Sequence, residues 1–271
     1  MKIEDLINHQ KHDGSFGPFH SMSKDNQITT EKALNRFYYL GLDKDNPIVD
    51  KTLSYVKKCF DGLVEISDRK EKVIQWEVFE KLMFATWLVI FNVEDNKVKK
   101  LQSMWTDIIT QSIVDNKFNV DLYKANYQRN FGKLKSGQRV IDPTSFYMVN
   151  FLRNQLDERA SLAYFEYIME QGIYYIYKEN LYELPKVFNH KNTIFYLIAI
   201  RLAAPYVKDE VRLDFVKQWL YKNQADDGFW YMENLKTDGI IFPTSSSWRS
   251  KKNKLNDIRN FIQYQIMDKL P

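Results

Sequence analysis

The sequence predicts an all-α chain folded as an α/α toroid, a ring of five to six helical hairpins in a single domain over residues 1–271. Three features of the chain predict it. A turn string of Gln, Asp, Gly and an aromatic occurs near both ends, with weaker copies between. Segments of helical period alternate between apolar on all sides and apolar along one stripe. No run alternates with period two, and glycine is scarce, at 9 residues.

The first string is Gln10, Asp13, Gly14 and Phe16, and the second is Gln224, Asp227, Gly228 and Trp230, at the same four offsets. Weaker copies begin at Asp61, Asp115 and Glu179, so successive starts lie 48, 54, 64 and 48 residues apart. Gly or Asn follows the acid in all five. These two residues tolerate a left-handed backbone, so each copy reads as a helix stop and a turn. The acid is placed to accept from the turn's N–H groups, and the aromatic to anchor the turn.

Between the turns each repeat holds two helices. Thr29-Thr30-Glu31 opens the first, with Ala33, Leu34, Phe37 and Tyr38 on one face and Gly41 as its stop. Asn46-Pro47 is an N-cap followed by Pro at the first helical position, and Val49, Leu53, Val56 and Phe60 form a stripe behind it. Trp76 to Phe91 is apolar nearly all round; Val98, Leu101, Trp105, Ile108 and Ser112 line one face of the next helix. The third repeat has a polar insert around Gly132 to Gly137, then helices from about Pro143 and Glu158. The fourth offers Thr193 to Ala204, then Val211, Phe215 and Trp219 on a face; a loop with Pro243 leads to Leu255, Ile258, Ile262 and Ile266. Buried helices near 30–40, 76–91, 143–154 and 192–204 thus alternate with amphipathic ones, as an inner ring would with an outer one. The first and last helices lack partners in their own repeats. Packing them together closes the ring; an open α-solenoid with distant termini is the alternative.

Composition narrows the function classes. The net charge of +4, with acids and bases interspersed, does not argue nucleic-acid binding. No apolar run has the length of a membrane span. Met1-Lys-Ile-Glu-Asp has no secretory apolar region, and Cys59 stands alone, which excludes an internal disulfide and multi-cysteine zinc sites; a cytoplasmic location is expected.

At the two outer strings the chain resembles the superfamily of squalene cyclases, other terpenoid cyclases and protein prenyltransferases, whose QW motif runs Gln, about two residues, Asp-Gly, one residue, Trp. Phe16 replaces the Trp in the first copy. In that superfamily the motif ties helices to turns and does not mark the active site. The resemblance implies a helical barrel handling an isoprenoid. Related cyclases carry a proton-donating acid in an Asp-(Asp or Cys)-Thr-Ala setting at the start of an inner helix. Asp142-Pro143-Thr144-Ser145 matches in position and in two of four residue types, making Asp142 the candidate acid. Asp before Pro before a helical run is also an ordinary cap, and the flanking acids of the fuller motif are missing. Those cyclases have two helical barrels, whereas this chain has length for one. A prenyltransferase zinc site is not expected, because Cys59-Phe60-Asp61 has its ligand types in the wrong order and no Gly-rich loop follows. No cofactor or metal is expected.

The aromatic stock, 15% of residues, suits either carbocation stabilisation or stacking on sugar rings, although most of it belongs to the core. Candidate ligand-binding residues are Tyr38, Trp76, Phe84, Trp87, Tyr147 and Tyr196 on the buried helices, with Trp248 and Arg249 in the polar loop Ser245-Ser246-Ser247-Trp248-Arg249. His9, His12 and His20 read as turn and surface histidines rather than metal ligands, and Lys251-Lys252-Asn253-Lys254 as a solvated helix entry. Three functional readings stay open. One is a toroid that binds an apolar, isoprenoid-class ligand in its mouth and cyclises it by acid catalysis. Another is a non-catalytic toroid that docks a protein partner. The third is a carbohydrate-active barrel with paired acids among Glu77, Glu80, Asp142 and Glu166.

Overall fold

A computed structural model describes residues 3–20, 28–208, 210–245 and 247–271; Ser246 of the polar loop and the first two residues of the N-terminus lie outside the described residues. Among the described residues the chain is mostly helical. Its α-helices are α1 (Ile3–His9), α2 (Thr30–Tyr39), α3 (Pro47–Phe60), α4 (Trp76–Ile90), α5 (Asn96–Thr110), α6 (Val120–Phe131), α7 (Phe146–Phe151), α8 (Glu158–Gln171), α9 (Lys191–Ala203), α10 (Asp214–Lys222) and α11 (Lys251–Asn260). A π-helical segment, Phe261–Ile266, extends α11. No described helix is long and apolar enough to cross a membrane.

Side-chain caps set most of the helix starts. Thr29 accepts from Lys32 N, Asn46 from Ile48 N ahead of Pro47, Asp95 from Lys97 N and Val98 N, and Asp157 from Ala160 N. Each satisfies a donor that the first turn leaves without a partner. His190 caps α9 by accepting from Asn192 N.

The alternation of buried and striped helices is present. Seven consecutive residues of α4, Leu82 to Leu88, are buried, and so are Tyr196 to Arg201 of α9. A helix without a polar face needs cover on every side. α4 has it from α3, α5 and α7, and α9 from α7, α8 and the π-helical segment; α2 lies against α3. The third buried helix is shorter than expected, because the segment from Asp142 is a turn and helical hydrogen bonding begins only at Phe146, capped by Ser145. The less regular third repeat also holds α6, which buries Tyr123, Asn126 and Tyr127 against α5. Its apolar residues are too few for a clear stripe.

The two outer strings fold into the same turn. In the first, Lys11 N donates to Ser15 O (2.8 Å) and Gly14 N to Lys11 O (3.0 Å), while Asp13 accepts from Ser15 N (2.9 Å). In the second, Ala225 N donates to Phe229 O (2.9 Å) and Gly228 N to Ala225 O (2.8 Å), while Asp227 accepts from Phe229 N (3.2 Å). Phe16 and Trp230 are both buried. The glutamines differ. Gln10 reaches Ile48 O and Thr52 Oγ1 on α3, whereas Gln224 closes on Gly228 O of its own turn.

The middle copies do not share this turn. Asp61 is ion-paired with Lys57 and Lys97. Asp115-Asn116, both at positive φ, form the two-residue loop of a small hairpin between β1 (Ile113–Val114) and β2 (Lys117–Phe118), not a helix stop. Asn180 is not left-handed, so only four of the five second positions have positive φ.

Gly14 and Gly228 both need positive φ, at +94° and +78°, but only Gly14 is also crowded: a Cβ there would lie 2.2 Å from the Lys51 carbonyl oxygen of α3. Gly228→Ala should cost about 1 kcal/mol for the left-handed backbone alone, or roughly 2–4 °C in melting temperature. Gly14→Ala should lower it at least twice as far, because the clash is with backbone. Thermal unfolding of the two variants by circular dichroism checks the order; equal losses would mean that the turn does not press on α3.

Candidate functional site

A cavity of about 610 Å³ opens where α2, α4, α7 and α9 end. That volume is in the range of small-molecule sites. Its aromatic wall is Tyr38, Tyr39, Trp87 and Phe146, and Asn35 and Asn150 add amides. Three cations line it, Arg153, Arg201 and Lys269, and among the described residues no Asp or Glu does. The paired acids of glycoside hydrolysis therefore have no residues in this cavity.

Arg201 is buried, at 8% exposure. Its guanidinium lies over the Tyr38 ring (5.2 Å) and the Tyr39 ring (5.4 Å), and donates to Tyr39 Oη (3.3 Å) and Gln265 Oε1 (3.2 Å). Its Nε has no hydrogen-bond partner among the described residues. The other buried arginine is provided for differently. Arg36 donates to the carbonyls of Ile240 (3.0 Å), Ile241 (3.4 Å) and Pro243. Burial lowers its pKa, and the charges of Asp238 and Asp257 work against that shift.

Beneath the aromatic wall is a buried polar cluster centred on Glu31, in the first turn of α2. Glu31 Oε2 accepts from His20 Nδ1 (2.6 Å), and Oε1 accepts from Trp87 Nε1 (2.9 Å) and Tyr147 Oη (2.7 Å). The Tyr147 hydroxyl also lies 2.9 Å from His20 Nδ1. Asp68 holds the His20 backbone by accepting from Phe19 N and His20 N, each at 2.6 Å. The His20 ring packs edge-on against Phe79, Tyr147 and Tyr175. Tyr175 has φ +77°, a strained value for a bulky residue. Burial disfavours charge on His20, but the hydrogen bond and charge of Glu31, with the charges of Asp68 and Glu71, outweigh it and raise its pKa.

Of the residues expected to bind a ligand, Tyr38 and Trp87 line the cavity. Tyr147 lies one layer below, in the Glu31 cluster. Tyr196 is fully buried and donates to Leu181 O; Phe84 packs on Phe19; Trp76 packs on Phe79. Trp248 donates to Asp257 Oδ2 (2.7 Å) and stacks on Phe242. Buried Asp257 also accepts from the backbone and hydroxyl groups of Thr244 and Ser245, so the polar loop is fastened onto one carboxylate. Arg249 is exposed beside it. Lys254 donates to Glu233 O and Leu235 O, which ties the basic run to the preceding loop.

Asp142 lies outside the large cavity. It accepts from Thr144 N (2.8 Å) and Thr144 Oγ1 (3.0 Å), and it pairs with Lys178 at 3.1 Å. The niche beside it holds about 20 Å³, room for one water and not for an isoprenoid. All three of its partners donate to it, as they would to the carboxylate of a turn. Among the described residues no group of His, Cys, Asp and Glu converges as a metal site requires.

Sequence reasoning missed Glu31, His20 as its partner, and Arg201. Glu31 has the look of a first-turn acid and Arg201 of a last-turn base, both routine at helix ends. The usable signal was that each falls on a helix whose neighbours are apolar. The chain matches no protein-family description, no curated protein and no solved structure.

The His20–Glu31 pair predicts a pH dependence. With His20 raised from 6.5 in the folded state, its charge-dependent stabilisation is complete below the unfolded value and is lost as pH rises through the folded one. The melting-temperature gap between the parent chain and His20→Gln should therefore be larger near pH 6 than near pH 8. A gap that widens toward high pH would show that the pair is not charged in the folded chain.

Proposed function

We propose that the helices close into an α/α toroid as one domain, and that it binds an apolar, isoprenoid-class ligand in the cavity where its buried helices end. The observation that carries the reading is that cavity: about 610 Å³, walled by Tyr38, Tyr39, Trp87 and Phe146. Closure is supported by Arg36 of α2, which donates to the loop entering the last helix, and by Arg201 of α9, which stacks on α2 and bonds Gln265 of the C-terminal segment. These contacts join the early and late parts of the chain, as a ring requires and an open solenoid does not. The shared turn of the two outer strings supports the resemblance to terpenoid cyclases and prenyltransferases as a likeness of fold.

Binding is better supported than cyclisation at Asp142, whose carboxylate is engaged by Thr144 and Lys178 away from the cavity. Native mass spectrometry with farnesol and squalene tests the reading. One ligand per chain should be retained, and Asn35→Trp, which places an indole in the cavity from the half-exposed face of α2, should abolish retention at little cost in melting temperature. No retention by the parent chain, or equal retention by the variant, would remove this function from the cavity.

A further inference from the structure

Among the described residues Arg201 is the buried charge that has an unpartnered donor. Removing a guanidinium from water costs several kcal/mol unless an opposite charge or a full set of acceptors replaces the lost hydration. Among the described residues no carboxylate pairs with it; its two acceptors are a tyrosine hydroxyl and an amide oxygen, both at 3.2 Å or more, and its Nε has none. The Tyr38 and Tyr39 rings offset part of that cost by cation–π attraction. They also hold the guanidinium at the cavity wall.

A competing account is that cations gather here to neutralise the ends of four helices. The carboxyl ends of α2, α4, α7 and α9 carry partial negative charge, which favours a nearby cation. Exposed Arg153 and Lys269 fit that account. Arg201 does not, because its hydrogen bonds go to side chains and to none of those terminal carbonyls. With three cations and no acid in the lining, the cavity also repels a cationic ligand.

Resting on the reading of the cavity as a ligand site, we propose that the ligand is an organic anion, its phosphate or carboxylate group held by Arg201 with Arg153 and Lys269 while its apolar body lies along Trp87 and Phe146. The guanidinium is preset at the cavity wall by the two tyrosines. A planar fork suits phosphate and carboxylate alike. The helix ends subtract from the affinity that the three cations supply.

Isothermal titration calorimetry of the full chain with octyl phosphate, octanoate and octanol tests this. At least one anion should bind about tenfold or more tightly than octanol, and the tighter of the two identifies the group. Arg201→Gln should remove that preference. Should it fail to fold, the double variant Arg153→Gln/Lys269→Gln, confined to exposed positions, should cut the preference by about threefold or more, as weakened charge pairing does, with octanol binding unchanged. Octanol binding as tightly as both anions would overturn the anion site and leave the cavity reading standing; so would a double variant that keeps the full preference. No binding by any of the three would overturn both.

Discussion

The middle of α4 has no polar face. From Leu82 to Leu88 every residue is buried, so this helix is stable only when other helices surround it. That requirement organises much of the rest. α3, α5 and α7 cover its sides, α7 leans on α9, and the amphipathic helices spend their apolar stripes on the buried ones. Lateral faces are thereby consumed by packing. What is left for a ligand is the ends of the buried helices, and the cavity lies there.

Burying helices also buries whatever polar groups they carry, and each must find a partner. Thr86 of α4 turns its hydroxyl to Leu82 O and the Tyr147 carbonyl. Glu31 is met by Trp87, Tyr147 and His20. Arg36 is met by backbone carbonyls, and Asp257 by the loop it fastens. Six buried side-chain atoms find no partner among the described residues, on Gln75, Trp76, Trp105, Thr106, Tyr127 and Arg201, and Arg201 is the one of these that carries a charge.

The local features were legible in the sequence. Capping residues, the positive-φ glycines, the apolar and striped helices and the two outer turns all depend on residues a few positions apart. Five equal repeats were not there to be read: the copy at Asp115 makes a β-hairpin and that at Asp61 an ion-pair network, because an acid followed by Gly or Asn suits several turns. α6 escaped notice because its buried face is two tyrosines and an asparagine. The site was less legible still. Glu31 meets Tyr147 across 116 positions and Arg201 meets Tyr39 across 162, and no local pattern encodes such pairs. Asp142 drew attention through a local pattern, and its contacts are the Thr144 ones that pattern ordinarily makes, together with an ion pair to Lys178.

Trp87 connects the two halves of the site. Its ring faces the cavity, while its indole N–H donates to the carboxylate that holds His20. A ligand of the proposed kind would press on a side chain whose other edge is already fixed by a charge-assisted hydrogen bond. Preorganisation of this kind lowers the ordering cost of binding. In the proposed reading the Glu31 cluster would have a role without touching the ligand. Tyr147 and His20 satisfy the remaining carboxylate oxygen positions, and a carboxylate so satisfied has little reason to leave its place. The aromatic wall therefore rests on the charge beneath it, and the cavity keeps its shape because Glu31 keeps its partners.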